Sequence, residues 1–249
     1  MKLAHAPLLQ IQRDLYSLPR GFERFRAYLQ TLIDAETRDL ALPPLVAMNP
    51  MGKEHVPALI DTLLAFDAES VAAQAVAEAA AQLRETPGEF KIGLAVSDDL
   101  KGGWTNRYTS EFSQCFEMKP ILQRGWLSVI LWTSETPSVQ TTRETTLTTI
   151  YRAAYIQQHG MARTLREMLA QEGYAMAMAG CTKPALDAAD LEYTREILSP
   201  HLEAKDRPTT MTCLFGDIAA HALGYPPQGL SPRAGFALAL HDSVAQHLC

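Results

Sequence analysis

Residues 90–108 read FKIGLAVSDDLKGGWTNRY and carry the clearest indication of the fold class. The run Lys91–Val96 is short, apolar and partly β-branched, which is typical of a strand that is covered on both faces. It leads into an acidic loop with two glycines, and residues 106–116 are predicted to form the helix that follows. Ligands of mixed α/β proteins bind where the carboxyl ends of strands meet such loops. The stretch therefore predicts a strand and a candidate binding region.

A second strand is predicted at Trp126–Trp132, where the sequence WLSVILW is again short and apolar. Together with the helix between them, the two strands would form a βαβ-like unit. The polar residues TSETPSVQTTRE follow the second strand, just as an acidic loop follows the first. We therefore expect a small central sheet with polar loops after both strands.

Most of the remaining chain has the periodicity of helices. A buried face is predicted for residues 22–33 at Phe22, Phe25, Leu29, Leu32 and Ile33. Further helices are predicted from Val56, over the alanine-rich residues 68–84, and after Pro137, with a break at Gly160 and a C-cap at Gly173. The last three are predicted at residues 191–198, 211–223 and 236–248.

These elements predict a helix-rich α/β or α+β fold, with a small central sheet near residues 90–96 and 126–132 surrounded by helices. A single domain over residues 1–249 is expected, since this length is compatible with one large domain. Its substructure would be a helical part at 1–85, an α/β centre at 86–180 and a second helical part at 181–249.

The composition of the chain argues against some classes of binding partner. The formal net charge is −6 and the isoelectric point is about 5.6, which argues against binding to nucleic acid or to an anionic membrane surface. The N-terminal residues predict no signal peptide, and no apolar run is long enough for a transmembrane helix. The four cysteines are scattered without a CxxC pair, so we expect reduced thiols and a cytoplasmic location.

The loop after the first strand supplies most of the candidate ligand-binding residues. Glycines there permit a close approach of the backbone, and a helix start with nearby basic side chains can bind an anion. Alternatively, the two acids could coordinate Mg²⁺, or the loop could be only a tight turn with helix caps. The candidates in this loop are Asp98, Asp99, Gly102, Gly103, Trp104, Asn106 and Arg107.

The loop after the second strand adds Glu135 and Arg143 to the candidate site. If the strands are parallel neighbours, both loops lie at one edge of the sheet, and Glu135 and Arg143 should lie near Asp98, Asp99 and Arg107. Mixed acids and arginines would suit a small anionic or zwitterionic molecule. The competing interpretation is that Ser138 only caps a helix, while Arg143 and Glu144 face solvent.

Asp217 and His221 form a separate, weaker candidate for a metal site. With Cys213 they are spaced i, i+4 and i+8, so one continuous helix would place them on one stripe. They could share a metal, or the acid could orient the imidazole. However, HExxH is absent and a third ligand is not evident, so an Asp–His pair that links two helices is the alternative.

No motif in the chain identifies a reaction, a cofactor or a nucleotide, because GxGxxG, GxxxxGK[ST] and GxSxG are all absent. We expect a protein that binds a small polar or anionic molecule at the two strand-to-helix loops, with or without enzymatic activity. The first alternative is a metal-dependent hydrolase that uses Asp217 and His221. The second is a non-enzymatic interaction protein that forms a homo-oligomer.

Overall fold

The computed structural model describes residues 1–100 and 105–247 of the chain. Helices predominate in this part, and three parallel strands form a small sheet. The predicted helix-rich α/β or α+β fold with a small central sheet is therefore confirmed. The chain divides into two compact units, the first with residues 1–107 and 119–150, the second with residues 108–118 and 151–249. The expectation of one domain stays a prediction.

The sheet belongs to the first unit and has the order β1-β2-β3, with β1 at Lys2–His5, β2 at Glu89–Ser97 and β3 at Trp126–Trp132. Both predicted strands are present, and they are parallel neighbours in which Ser97 pairs with Trp132. The strand β1 was not predicted, because residues 1–85 were expected to be helical. A four-residue strand is too short to show a periodic pattern, and this one exists by pairing with β2.

The helices follow the sequence prediction in most of their positions. Two 3₁₀ turns accompany them, at Pro43–Ala47 and Ser199–His201. In chain order the described helices are α1 (Leu9–Ser17), α2 (Phe22–Leu32), α3 (His55–Ala65), α4 (Ala68–Gln82), α5 (Arg107–Phe116), α6 (Lys119–Gln123), α7 (Val139–His159), α8 (Leu165–Met178), α9 (Ala188–Leu198), α10 (Arg207–Phe215), α11 (Asp217–Leu223) and α12 (Ala234–His247). None of them has the length and hydropathy that a membrane-spanning segment requires.

Apolar side chains from β2 and β3 form the centre of the first unit. Leu94, Ala95 and Val96 follow one another in β2 and are all fully buried, as expected for a strand covered on both faces. Helix α4 lies against β1, and its buried face consists largely of alanines, whose small side chains allow a close approach.

The buried face predicted for α2 is correct only in part, because Leu32 is buried but Phe22, Leu29 and Ile33 are exposed. Arg24 and Tyr28 are the other buried residues of this helix. The guanidinium of Arg24 can be buried because it donates hydrogen bonds to backbone carbonyl groups, including that of Leu18 at 2.5 Å and that of Gly52 at 3.3 Å. Apolar periodicity could not anticipate a buried arginine.

The second unit has its own core, in which aromatic rings from α5, α10 and α12 meet. The rings of Phe215 and Phe236 are 5.0 Å apart in an edge-on arrangement, and Phe112 belongs to the same buried cluster. Gly173 is not a C-cap, because α8 continues to Met178. Instead, the missing side chain at Gly173 brings the backbone of α8 next to Ala239 of α12.

Candidate functional site

The carboxyl edge of the sheet is where the loops after β2 and β3 meet. Ser97 pairs with Trp132 at the last register position, and the backbone N–H of Thr133 donates to the carbonyl of Ser97 over 3.1 Å. Consequently Asp98 and Asp99 lie beside Thr133 and Ser134. The parallel pairing thus brings the two predicted loops together.

Asp99 joins the two loops through both of its carboxylate oxygens. One oxygen, Oδ1, accepts the backbone N–H of Ser134 at 2.9 Å, and Oδ2 accepts the Ser134 hydroxyl at 2.5 Å. In return, the backbone N–H of Asp99 donates to the hydroxyl of Thr133 over 3.1 Å. The side chain of Asp99 is almost completely buried. These hydrogen bonds and a neighbouring arginine therefore replace the contacts with water that the carboxylate lacks.

That arginine is Arg107, the first residue of α5. Its guanidinium donates to the Ser134 hydroxyl at 2.8 Å and to Asp99 Oδ2 at 3.4 Å, and it forms an ion pair with Glu135. The guanidinium carbon also lies 5.3 Å from the centroid of the Trp132 ring, close enough for a cation–π contact. Arg107 is therefore fixed in position with two carboxylates around it.

Asp98 faces a different partner, His55 at the start of α3. The imidazole Nε2 lies 2.7 Å from Asp98 Oδ1, and the same oxygen accepts the backbone N–H of Leu100 at 3.2 Å. The Asp98 side chain is 1% exposed and that of His55 is 20% exposed. A buried carboxylate at this distance fixes the orientation of the partly exposed imidazole ring.

Thr133 connects the Asp98 and Asp99 sides of the edge. Its hydroxyl lies 3.1 Å from Asp98 Oδ1 and 3.0 Å from Asp99 Oδ1, so it can donate to either carboxylate. We call the connected side chains the carboxyl-edge network, which consists of His55, Asp98, Asp99, Arg107, Thr133, Ser134 and Glu135.

A buried tyrosine fixes the segment that precedes α3. The Tyr16 hydroxyl donates to the carbonyl of Asn49 at 2.6 Å, and the side chain of Asn49 accepts the backbone N–H of Met51 at 2.9 Å. The pKa of Tyr16 is raised well above its ordinary value, first by burial and then by the negative charge of Asp98. These hydrogen bonds fix the chain just before α3, the helix that begins with His55.

Sequence reasoning missed His55, Tyr16 and Thr133. No spacing rule connects His55 to Asp98, since 43 residues separate them. A histidine immediately before an apolar helix face was the only available signal, and it is a weak one.

The other predicted residues are distributed as follows. Gly102, Gly103 and Trp104 lie outside the described residues, and Asn106 directly precedes α5 on the exposed side. Arg143 donates to both carboxylate oxygens of Glu78, at 2.8 and 2.7 Å. None of the hydrogen bonds recorded for Arg143 within the described residues reaches the carboxyl-edge network. Ser138 does cap α7, because its hydroxyl accepts the backbone N–H of Thr141 at 3.0 Å.

The single helix predicted over residues 211–223 is wrong. α10 ends at Phe215, Gly216 adopts a φ of 81°, and α11 begins at Asp217, so the predicted i, i+4, i+8 stripe is interrupted. A side chain at Gly216 would collide with the carbonyl of Ser231, which explains why the chain turns at a glycine.

Asp217 has a structural environment. Its two carboxylate oxygens accept the backbone N–H groups of Gln228 and Gly229, at 2.9 and 2.8 Å. Burial opposes ionisation, but these backbone donors outweigh it and lower the pKa of Asp217. His221 is exposed one turn later. The geometry favours an acid that holds the loop before α12.

Metal ligands are not gathered anywhere in the part of the chain that the structure describes, where no group of three or more His, Cys, Asp or Glu side chains could hold an ion. Two of the cysteines, Cys115 and Cys213, are buried. Burial raises the pKa of the Cys213 thiol to about 12 and that of Cys115 well above its usual value. Neither therefore resembles an activated nucleophile.

Comparison with known proteins does not assign a family. No protein-family profile matches the chain, and no curated protein or solved structure matches it. A function can therefore be inferred only from the side chains themselves. The carboxyl-edge network places two buried carboxylates, Asp98 and Asp99, beside a histidine and an arginine.

Proposed function

We propose that this protein binds a small polar molecule at the carboxyl edge of its parallel sheet. The observation that carries the proposal is the 2.7 Å contact between His55 and the buried Asp98, beside the ion pairs of Arg107. Burial of charged groups lowers stability unless each charge is compensated, and such clusters are enriched at functional sites. A location at the ends of parallel strands agrees with this role.

The charges in the network favour a particular kind of ligand. Asp98, Asp99 and Glu135 contribute three carboxylates, while Arg107 contributes one permanent positive charge. A multiply charged anion would have to displace carboxylates from Arg107. A neutral or zwitterionic molecule with an ammonium or hydroxyl donor fits the charge balance better. We therefore narrow the expected ligand class from small polar or anionic molecules to zwitterionic and neutral polar ones.

His55 is the residue that we propose for proton exchange with the ligand. Asp98 holds Nε2, so Nδ1 is the ring nitrogen that would contact a bound molecule. An imidazole held by a carboxylate is a common general base, which makes the site compatible with catalysis as well as with binding. The minimum proposal is binding, and His55 would be the first residue to test for chemistry.

Thermal stabilisation by small molecules tests the proposal directly. A panel of amino acids, polyamines, sugars and nucleosides would be screened for compounds that raise the melting temperature. A ligand at about 100 times its Kd stabilises the folded state by about 2.7 kcal/mol. We expect Arg107→Ala and His55→Gln to lose most of the ligand-induced shift.

Arg143→Ala is the matched control, because it removes a surface arginine that is paired with Glu78 outside the network. It should keep the full shift. The proposal would be contradicted if every ligand found by the screen stabilised Arg107→Ala and His55→Gln as much as the unmodified protein.

A further inference from the structure

The second unit contains a cavity that is separate from the carboxyl-edge network. Its volume is about 550 Å³, and residues of α7, α8, α9 and α12 line it. Pockets for small organic molecules usually have volumes of roughly 300–1,000 Å³, so this cavity has the size of a ligand site.

Small side chains explain why the space is open. The helices α8 and α12 touch at Gly173, where an added Cβ would lie 2.5 Å from the carbonyl oxygen of Ala239. Beside this contact the lining residues include Ala170, Ala239 and Ser243, which are too short to fill the space between the helices. The cavity therefore results from the way in which α8 and α12 pack.

Aliphatic and aromatic side chains line the cavity. Leu169, Leu198 and Leu238 supply aliphatic surface. Tyr155 and Tyr174 supply aromatic surface, with ring centroids 5.4 Å apart and planes inclined by 46°. Both tyrosines are only partly buried, so their rings are accessible to a ligand. Such a surface favours a flat aromatic body.

Charged side chains also line the cavity. Arg195 donates to Asp242 over 2.8 Å, and Arg166 donates its Nε–H to Glu203 over 2.9 Å. Among the lining residues, two arginines stand against one carboxylate, that of Asp242. Arg195 also donates to Glu192 over 3.0 Å. A guanidinium has several N–H groups, so each arginine still has donors for an additional anionic group beside its present partners.

We propose that this cavity binds a small aromatic acid. Its ring would lie against Tyr155 and Tyr174, and its carboxylate or sulfonate would pair with Arg195, with Arg166 adding positive charge. The inference does not depend on the carboxyl-edge network and would stand if that network bound nothing.

Fluorescence of anilinonaphthalene sulfonate, an aromatic anion, tests this assignment in the full-length protein. We expect saturable binding at one site, and weaker binding of the uncharged analogue phenylnaphthylamine. Ala170→Trp should fill part of the cavity and weaken binding of the sulfonate at least tenfold, and Arg195→Ala should weaken it severalfold. Ala170 is exposed, so the larger side chain is compatible with folding.

Two matched controls make the test specific. Ala188→Trp adds the same ring to an exposed position of α9 that does not line the cavity, and Arg163→Ala removes an exposed arginine near the start of α8. Both should bind the probe like the unmodified protein. Absence of saturable binding, or unchanged affinity in a folded Ala170→Trp protein, would refute the cavity as a ligand site. Unchanged affinity in Arg195→Ala would refute the acidic ligand.

Discussion

Gln12 takes the place of a strand at one edge of β2. The strand β1 ends at His5, which pairs with Ile92, so β1 does not reach Val96. The side-chain amide of Gln12 donates to the carbonyl of Val96 at 2.7 Å and accepts its N–H at 2.8 Å. One fully buried side chain thereby satisfies both backbone groups that a longer β1 would have paired.

The change Gln12→Leu should therefore be strongly destabilising. It leaves a buried N–H and a buried carbonyl of Val96 without this partner, and each such group costs about 1–3 kcal/mol. We expect the free energy of unfolding to fall by about 2 kcal/mol or more in urea denaturation.

Gln10→Leu provides the comparison for this experiment. Gln10 is exposed and donates only to the Asp14 side chain among its recorded bonds in the described residues. Its replacement should change the stability by less than about 0.5 kcal/mol. Equal effects of the two substitutions would show that the Gln12 amide does not support β2.

At the scale of single elements, α8 begins with a capping box. The Thr164 hydroxyl accepts the backbone N–H of Glu167, and the Glu167 carboxylate accepts the backbone N–H groups of Thr164 and Arg163. The box satisfies N–H groups that have no partner inside the helix. It also fixes the residue at which α8, one side of the proposed cavity, begins.

Thr164→Ala should lower the free energy of unfolding by about 1 kcal/mol, the usual cost of losing an N-cap side chain. Thr164→Ser keeps the hydroxyl and should retain most of the stability. Chemical denaturation of the three proteins at neutral pH measures the difference. A Thr164→Ala protein as stable as the unmodified one would mean that water replaces the cap without cost.

At the scale of the whole molecule, carboxylates in both compact units accept hydrogen bonds from backbone N–H groups. The pKa values of Asp34, Asp39, Glu167 and Asp206 are lowered, chiefly because peptide N–H groups donate to their carboxylates. The pKa of Asp217 is lowered as well, because its backbone donors outweigh burial. In all five cases the folded state favours the ionised form.

Stability should consequently fall as the solution becomes acidic. Carboxyl groups with lowered pKa values stabilise the folded protein above their unfolded values, near 4, and this contribution is lost as the pH falls through their folded values. We expect a lower urea midpoint at about pH 3 than at pH 7. An Asp206→Asn variant should show a smaller decrease, whereas a midpoint that rises on acidification would contradict the assignment.

Much of the fold could be predicted because its signals are local. β2, β3 and the helices α3 and α4 follow from apolar runs and helical periodicity, which depend on neighbouring residues. The break at Gly216 was missed because apolar residues continue on both sides of it. Its positive φ and its packing against Ser231, which both require a glycine, are features of the tertiary structure. The four-residue β1 had no local signal and depends on β2 for its existence.

The candidate site could likewise be predicted only in part from the sequence. The sequence determined by itself that acidic and basic side chains follow two adjacent strands, and parallel pairing brings Asp98, Asp99, Arg107 and Glu135 to one edge. Only the tertiary structure decided that His55 joins Asp98 and that Arg143 pairs with Glu78. These partners are 43 and 65 positions apart in the chain. Their choice depends on how helices pack on the sheet, and no local periodicity encodes that packing.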